Sequence, residues 1–269
     1  NYGLREAADA DERHCAELCE RLGVQLEIVR AGGRAQAASG NLQAWARELR
    51  YGHAQRIARE RDCLIATGHT ASDQLETILY RLAASPGRRA LQGMPASEGR
   101  LIRPLLGLWR EQTAAYCGER GLAWREDESN EDGRFARARV RLEVVPALAA
   151  VHPAARENVL RTAALLREES ELLDGLVEQE LGGRASIAVA RLRELPAALA
   201  RMVVVRLAED ATGAYVPQAG DRVRELLELA GRSSTGRGGR AELHLGGQAA
   251  AVIERGELRM KRLPPREPA

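Results

Sequence analysis

The chain has 269 residues, 45% hydrophobic and 29% charged, with a formal net charge of +2. These values are ordinary for a soluble folded protein, and the length allows one large domain plus a smaller one, or two of middling size. So small a net charge excludes a global field for nucleic acid, and any RNA-binding face has to come from local arginine clusters.

Aromatic residues make up only 3%, and the apolar content is mostly Ala, Leu and Val, which favours helix-rich cores. Lys261 is the only lysine. The four cysteines, Cys15, Cys19, Cys63 and Cys117, form no C-x-x-C pair. Cys15 and Cys19 lie one helical turn apart and are expected on a buried face, pointing to a reducing compartment without a structural zinc. No apolar run approaches membrane-spanning length and no signal peptide is visible, so no membrane role and a cytoplasmic location are expected. The chain opens on Asn1, at what reads as the end of a strand, and further residues are expected upstream.

Residues 11–22 place Cys15, Leu18, Cys19 and Leu22 at helical spacing, and Gly23 supplies the stop. Val24, Leu26 and Ile28 alternate with polar neighbours and predict a strand. A Gly/Ala/Ser-rich loop runs to about residue 40, followed by a helix over 41–60 with Asn41 as its N-cap. The continuous apolar run Cys63-Leu64-Ile65-Ala66-Thr67 predicts a central parallel strand buried on both faces. Gly68-His69 ends it, and a helix begins near Ser72 or Asp73. Arg103-Pro104 closes a further short segment, and a helix over 110–120 is stopped by Gly121. After Trp124 come a polar loop over 125–133 and an Arg-rich stretch leading into a helix.

Strands alternating with helices predict an α/β fold: an open, mostly parallel sheet with flanking helices, whose ligands sit beyond the carboxyl ends of the strands. A boundary is expected near His152-Pro153, giving residues 1–150 as one domain and 151–269 as another. The second half reads as a long amphipathic helix to residue 181, burying Leu166, Leu172, Leu173, Leu176 and Val177. A strand over 186–190, two more helices ending near Gly231, and a Gly/Arg/Ser-rich stretch over 231–240 follow. Two or three short strands around Gly246-Gly247 and Gly256 complete a smaller, helix-rich α+β domain.

The turn after Thr67 is therefore the first place to look for chemistry. Asp73 and Glu76 lie three apart in the first turn of a helix, so both carboxylates can face one side. Such a pair suits Mg2+ bridging nucleotide phosphates, or the orientation of a reacting group. The same spacing is also a capping box favoured by the helix dipole. His69 on this turn is either a ligand contact or a satisfied structural histidine. Arg47 and Arg50 share a helix face and suit a phosphate, although surface arginines on helices are common. Asp127-Glu128-Ser129-Asn130 is turn chemistry. Arg137, Arg139 and Arg141 form a dense basic cluster that can grip phosphates, or a solvated helix start paired with Glu126, Glu128 and Glu131. Arg88 and Arg89, in the loop Ser85-Pro86-Gly87-Arg88-Arg89, and the arginines near Arg237 are further phosphate contacts or solvated loop charge. No P-loop, zinc spacing or Ser/His/Asp signature appears.

In this order the stretches resemble the tRNA(Ile)-lysidine synthetase family of the N-type ATP pyrophosphatase, or PP-loop, superfamily. Asn1-Tyr2-Gly3-Leu4-Arg5 is similar to the family's N-H-G-L-R, and residues 41–51 to its N-x-x-x-x-A-R-x-x-R-Y helix. Residues 68–77 resemble G-H-x-x-D-D-Q-x-E-T, and residues 88–94 the L-R-G-L-x-G-M loop. Arg103-Pro104-Leu105-Leu106, Arg110, Trp124, Asp127, Ser129, Asn130 and the 137–141 arginines follow in family order. The resemblance is dense over the first half and general over the second. Three departures stand out: Ser72 replaces the first Asp of the D-D pair, Ala138 replaces an Asn, and the family's S-G-G-x-D-S phosphate loop lies upstream of Asn1. The chain as written is therefore expected to bind ATP poorly, and its intact parent to bind it.

What the resemblance implies is a two-step ligation using ATP and Mg2+. ATP activates C2 of the wobble cytidine of tRNA(Ile) with a CAU anticodon, and the ε-amine of free L-lysine displaces AMP. Asp73 and Glu76 would hold Mg2+ or steer the lysine ammonium. Arg141 and Arg50 would stabilise phosphate charge, and His69, Arg47 and Asn1 would sit against the nucleotide. Arg88, Arg89, Arg137 and Arg139 would hold the anticodon stem-loop, and the second domain would bind the tRNA elsewhere. A homodimer is left open. Two alternatives stand beside this reading: a tRNA thiolation enzyme of the same superfamily, disfavoured by the lack of a cysteine pair, and a non-catalytic RNA-binding relic.

Overall fold

The computed structural model describes residues 1–3, 7–31, 42–85, 87–125, 133, 135–216, 218–233 and 240–264. Asn41, Asp127, Glu128, Ser129 and Asn130, the carboxylates Glu126 and Glu131, and most of the Gly/Arg/Ser-rich stretch lie outside them. Contacts divide the chain into two compact units, Asn1–Ala164 and Leu165–Ala269. No described helix is long and apolar enough to cross a membrane.

The first unit opens with α1 (Ala7–Leu22) and α2 (Leu42–Glu60), then β1 (Ile65–Ala66) and α3 (Ala71–Ala84). The short α4 (Arg88–Leu91), β2 (Ser97–Glu98), β3 (Leu101–Ile102) and α5 (Arg110–Glu119) follow. After α6 (Ala136–Arg139) a π-helical turn over Val140–Val144 leads into α7 (Val145–Val151) and the long α8 (Ala155–Leu181). The sheet order is β1-β3-β2, with β1 parallel and β2 antiparallel to β3. This is an α/β arrangement, as the alternation of elements predicts.

Two sequence expectations for this unit are corrected. Residues 24–28 are not a strand: Val24, Leu26 and Ile28 are 57%, 43% and 44% exposed. Among the described residues only the hydrogen bonds of Asn1 with Val29 and Ala31 tie the segment laterally to backbone, and no ladder forms there. The apolar run at 63–67 shrinks to the two residues of β1, and Leu64 is 59% exposed. Among the described residues β1 has a strand on one edge only, so the cover that a central strand requires is not supplied. Cys15 and Cys19 likewise depart from expectation, because α1 buries no residue.

The α3 helix is the best-buried element of the unit, with Ala71, Gln74, Leu75, Glu76, Thr77 and Ile78 all inward. Its start is fixed by Thr70, whose hydroxyl accepts from the Asp73 N–H while the Asp73 carboxylate accepts from the Thr70 N–H at 2.8 Å. The capping box is thus Thr70 with Asp73, not Asp73 with Glu76, and Glu76 is released from that duty. Gln74 holds the loop after α4 through two buried bonds, donating to the Met94 carbonyl (2.9 Å) and accepting from its N–H (2.7 Å). Gly93 makes this approach possible. It has φ +67, and a Cβ there would lie 2.6 Å from Gln74 Oε1. Gly93→Ala is expected to cost about 2–3 kcal/mol, from left-handed strain plus displacement of Gln74. A urea midpoint equal to that of the parent would contradict this account.

The second unit contains the α8 residues from Leu165 onward, β4 (Ser186–Ala188), α9 (Val189–Glu194), α10 (Ala197–Thr212), α11 (Gln218–Asp221) and α12 (Val223–Ser233). It ends with β5 (Ala241–Gly246), β6 (Ala249–Glu254) and β7 (Glu257–Arg262), joined by tight turns at Gly246-Gly247 and Gly256. The antiparallel sheet runs β4-β7-β6-β5. The α10 helix lies on it, with Val203, Val204, Leu207 and Ala208 packing among Leu245, Ala249, Ala251 and Leu258. On α8 the buried positions are Ala155, Ala163, Ser170, Val177 and Leu181. Leu172 (70% exposed) and Leu176 (39%) turn outward, against expectation, because the buried stripe repeats every seven residues through 163, 170 and 177.

Candidate functional site

The carboxyl end of β1 delivers Thr67, Gly68 and His69 to the start of α3, as open parallel sheets deliver their ligand-binding turns. Thr67 Oγ1 lies 2.8 Å from His69 Nδ1, which fixes the ring. Burial is the main reason the His69 imidazole titrates below its ordinary 6.5; Asp73 opposes the shift, and Arg103, Arg47 and Arg50 reinforce it. The folded protein therefore holds less charge on His69 than the unfolded chain. This contribution to stability is complete above about pH 6.5 and is lost as the pH falls through the lower folded value. His69→Gln is expected to flatten the dependence of the urea midpoint on pH over that interval. Parallel pH profiles for variant and parent would show that His69 carries no such linkage.

Asp73 and Glu76 lead different lives despite their shared helix. Asp73 Oδ2 accepts from both the N–H and the hydroxyl of Thr70, at 2.8 and 2.7 Å. Its Oδ1 accepts from no described residue and lies 4.0 Å from the Arg110 guanidinium. Glu76 is 5% exposed, and both its oxygens are taken by Arg141, with Nε at 2.6 Å and Nη2 at 3.0 Å. This bidentate bond is the main reason the Arg141 guanidinium is held above its ordinary value. The π-helical turn over Val140–Val144 carries Arg141, and such turns recur where a helix has to re-aim a side chain.

The remaining predicted residues divide into two groups. Arg47 and Arg50 flank the Tyr51 ring, at 4.4 and 5.7 Å from its centroid, and their charges reach His69. Arg137 and Arg47 also act on Arg81, a half-buried arginine that donates to the Gly93 carbonyl at 2.7 Å. Arg47, Arg50, Arg137 and Arg141 thus share one positive field around the α3 start. Arg139 turns back to the Gly133 carbonyl (3.1 Å), and Arg88 and Arg89 open α4, which packs on α3. Asn1 stands apart. Its amide donates to Asp9 (2.9 Å) and Glu12 (2.8 Å), and Glu12 is brought down to about 2 by Arg30 first and Asn1 second.

Two residues of this site had no role assigned from sequence. Arg103 is 5% exposed, bonded to the Pro95 carbonyl at 2.6 Å, with its Nε buried and without a partner among the described residues. A lone arginine closing an apolar segment just before proline was the available signal. Arg110 faces the open oxygen of Asp73, and its N–H donates to Ser72 Oγ at 3.2 Å. Ser72, the departure from the D-D pair, thereby joins the starts of α3 and α5.

The donor set can be tested against a metal. Among the described residues no cluster of three or more His, Cys, Asp or Glu could hold one. Glu76 has no free oxygen, so one open carboxylate oxygen, on Asp73, is what the site offers. Mg2+ is commonly held by one or two carboxylates together with substrate phosphates and water, and one carboxylate fits that requirement.

A tRNA(Ile)-lysidine synthase of Pseudomonas fluorescens (strain Pf0-1) is 39% identical over 185 residues, covering 67% of this chain and 41% of the relative. That of Symbiobacterium thermophilum is 37% identical over 254 residues, covering 87% of this chain and 53% of the relative. The chain thus spans between two fifths and a little over half of these curated relatives. Among solved structures, the U34-tRNA thiolase NcsA from Methanococcus maripaludis superposes with a TM-score of 0.52 at 16% identity, over 62% of this chain and 60% of that one, a likeness of fold. Residues 1–148, more than half of the chain, match the PP-loop domain, so the chain belongs to the PP-loop domain family.

Proposed function

We propose that this chain carries the catalytic core of a tRNA(Ile)-lysidine synthase, joining L-lysine to C2 of the wobble cytidine in CAU-anticodon tRNA(Ile) at the expense of ATP. The observation that carries the reading is Asp73, which keeps one carboxylate oxygen open beyond β1 inside a field of arginines. The name of the relatives at 37–40% identity, tRNA(Ile)-lysidine synthase, supports a tRNA(Ile) substrate and a lysidine product.

Asp73 is the member of the acidic pair assigned to Mg2+, which would draw charge from the ATP phosphates. Its open oxygen also suits steering the lysine ammonium and accepting a proton from it. Arg141, held by Glu76, presents a fixed positive charge to the α-phosphate, and Arg50 and Arg47 serve the phosphates from α2. A neutral His69 packs against the nucleotide without adding charge. Arg88, Arg89, Arg137 and Arg139 would hold the anticodon stem-loop, whose cytidine has to be splayed out to expose C2. Residues 151–269 would bind the tRNA elsewhere.

AMP release from ATP by the full-length gene product tests this directly. It should require L-lysine and a CAU-anticodon transcript together. AMP formed without lysine, with sulfur passed to the RNA from a donor, would favour a thiolation enzyme instead.

A further inference from the structure

Wholly within the second unit, a groove of about 700 Å³ opens between α9, the start of α10 and the α11–α12 pair. Its floor is apolar: Leu192, Leu195, Ala200 and Val223 are all buried. The walls close tightly because Gly220 has no side chain, and a Cβ there would meet Val205 Cγ2 at 3.1 Å. Three exposed arginines, Arg193, Arg201 and Arg224, line the groove together with Asp221 and Glu228.

Several other arginines of the unit are paired. Arg191 pairs with Glu180 and Glu194, Arg206 with Asp210 and Glu178, Arg222 with Glu225 and Arg259 with Glu254. Among the described residues Arg201 and Arg224 pair with no carboxylate, and Arg193 donates only to the Leu227 carbonyl, at 3.0 Å. Arg224 has Glu228 one turn on, at the spacing that Arg206 and Asp210 close, yet no pair forms. Guanidinium groups left open around an apolar floor suit an anion that also has an apolar face.

We infer that this groove binds an unstacked nucleotide of the substrate RNA, an inference that rests on the reading of that substrate above. The arginines take the phosphates, and the apolar floor takes the face of the base or ribose. Asp221 and Glu228 accept N–H groups from the base edge. An acidic peptide fits less well, because its side-chain carboxylates would be repelled by Asp221 and Glu228, whereas a base edge offers them N–H donors.

The test uses the full-length protein and a CAU-anticodon tRNA(Ile) transcript, with affinity read by fluorescence anisotropy over a range of salt. Arg201→Ala and Arg224→Ala should each weaken binding about five- to tenfold and lower the slope of log affinity against log salt by about one. Arg206→Ala, which removes an internally paired arginine, should stay within about twofold. A photo-crosslinking side chain at Ala197, on the groove wall, should trap one region of the RNA. If Arg201→Ala and Arg224→Ala bind as Arg206→Ala does, the RNA assignment is overturned and an acidic peptide or a partner helix becomes the occupant to seek. Binding that depends on the groove in a protein that fixes no lysine would instead sink the ligase reading and leave the groove standing.

Discussion

Replacing Asp73 with alanine is expected to lower lysine incorporation more than about 100-fold while tRNA affinity stays within about twofold. The expectation follows from the division of labour between its oxygens. Oδ2 is committed to Thr70, and Oδ1 is open toward substrate. Alanine removes both, so part of the effect is structural: loss of the cap costs about 1 kcal/mol. Asp73→Asn separates the two. Its amide oxygen can still accept from Thr70, whereas its NH2 group can neither bind Mg2+ nor accept a proton. The asparagine variant should melt within a degree or two of the parent and remain inactive. An asparagine variant retaining a tenth or more of the activity would remove Asp73 from the chemistry.

Arg141→Ala should have the largest effect on stability. It strands the Glu76 carboxylate, 5% exposed on the best-buried helix of the first unit, without its bidentate partner. Removing one member of such a pair costs about 3–5 kcal/mol, and the 23% exposure of the Arg141 side chain places this case near the lower end. In a domain of this size that is roughly 6–12 °C in melting temperature. Activity should fall as well, which alone would not distinguish a catalytic charge from a structural one. The double variant Glu76→Met, Arg141→Met does so, because replacing a buried pair by apolar side chains of similar volume is often neutral. It should recover most of the lost stability and none of the activity. Recovery of both would reduce Arg141 to a packing residue.

Much of the architecture was legible in the sequence because it rests on local rules. Gly23 and Gly121 stop helices where left-handed turns are needed, and the β5–β7 meander turns at Gly246-Gly247 and at Gly256. The failures are equally physical. The apolar alternation at 24–28 and the run at 63–67 record a tendency to be covered, and among the described residues no neighbouring strand supplies that cover. The expected capping box of Asp73 with Glu76 gives way to Thr70 with Asp73, because the Thr70 hydroxyl and N–H both reach Asp73. Periodicity could place Asp73 and Glu76 on one side of a helix, but not foresee that a π-helical turn 65 residues later would claim Glu76 entirely. The groove arginines carry no spacing signal at all. They come from separate helices, and only the fold brings them to one groove.

Ligase activity is read by incubating the full-length gene product with ATP, labelled L-lysine and transcripts of tRNA(Ile) bearing either a CAU or a UAU anticodon. Label is expected on the CAU transcript alone, because the attacked C2 carbonyl belongs to a cytidine activated by ATP. Absence of label on the CAU transcript, with that RNA still bound, would contradict the ligase assignment.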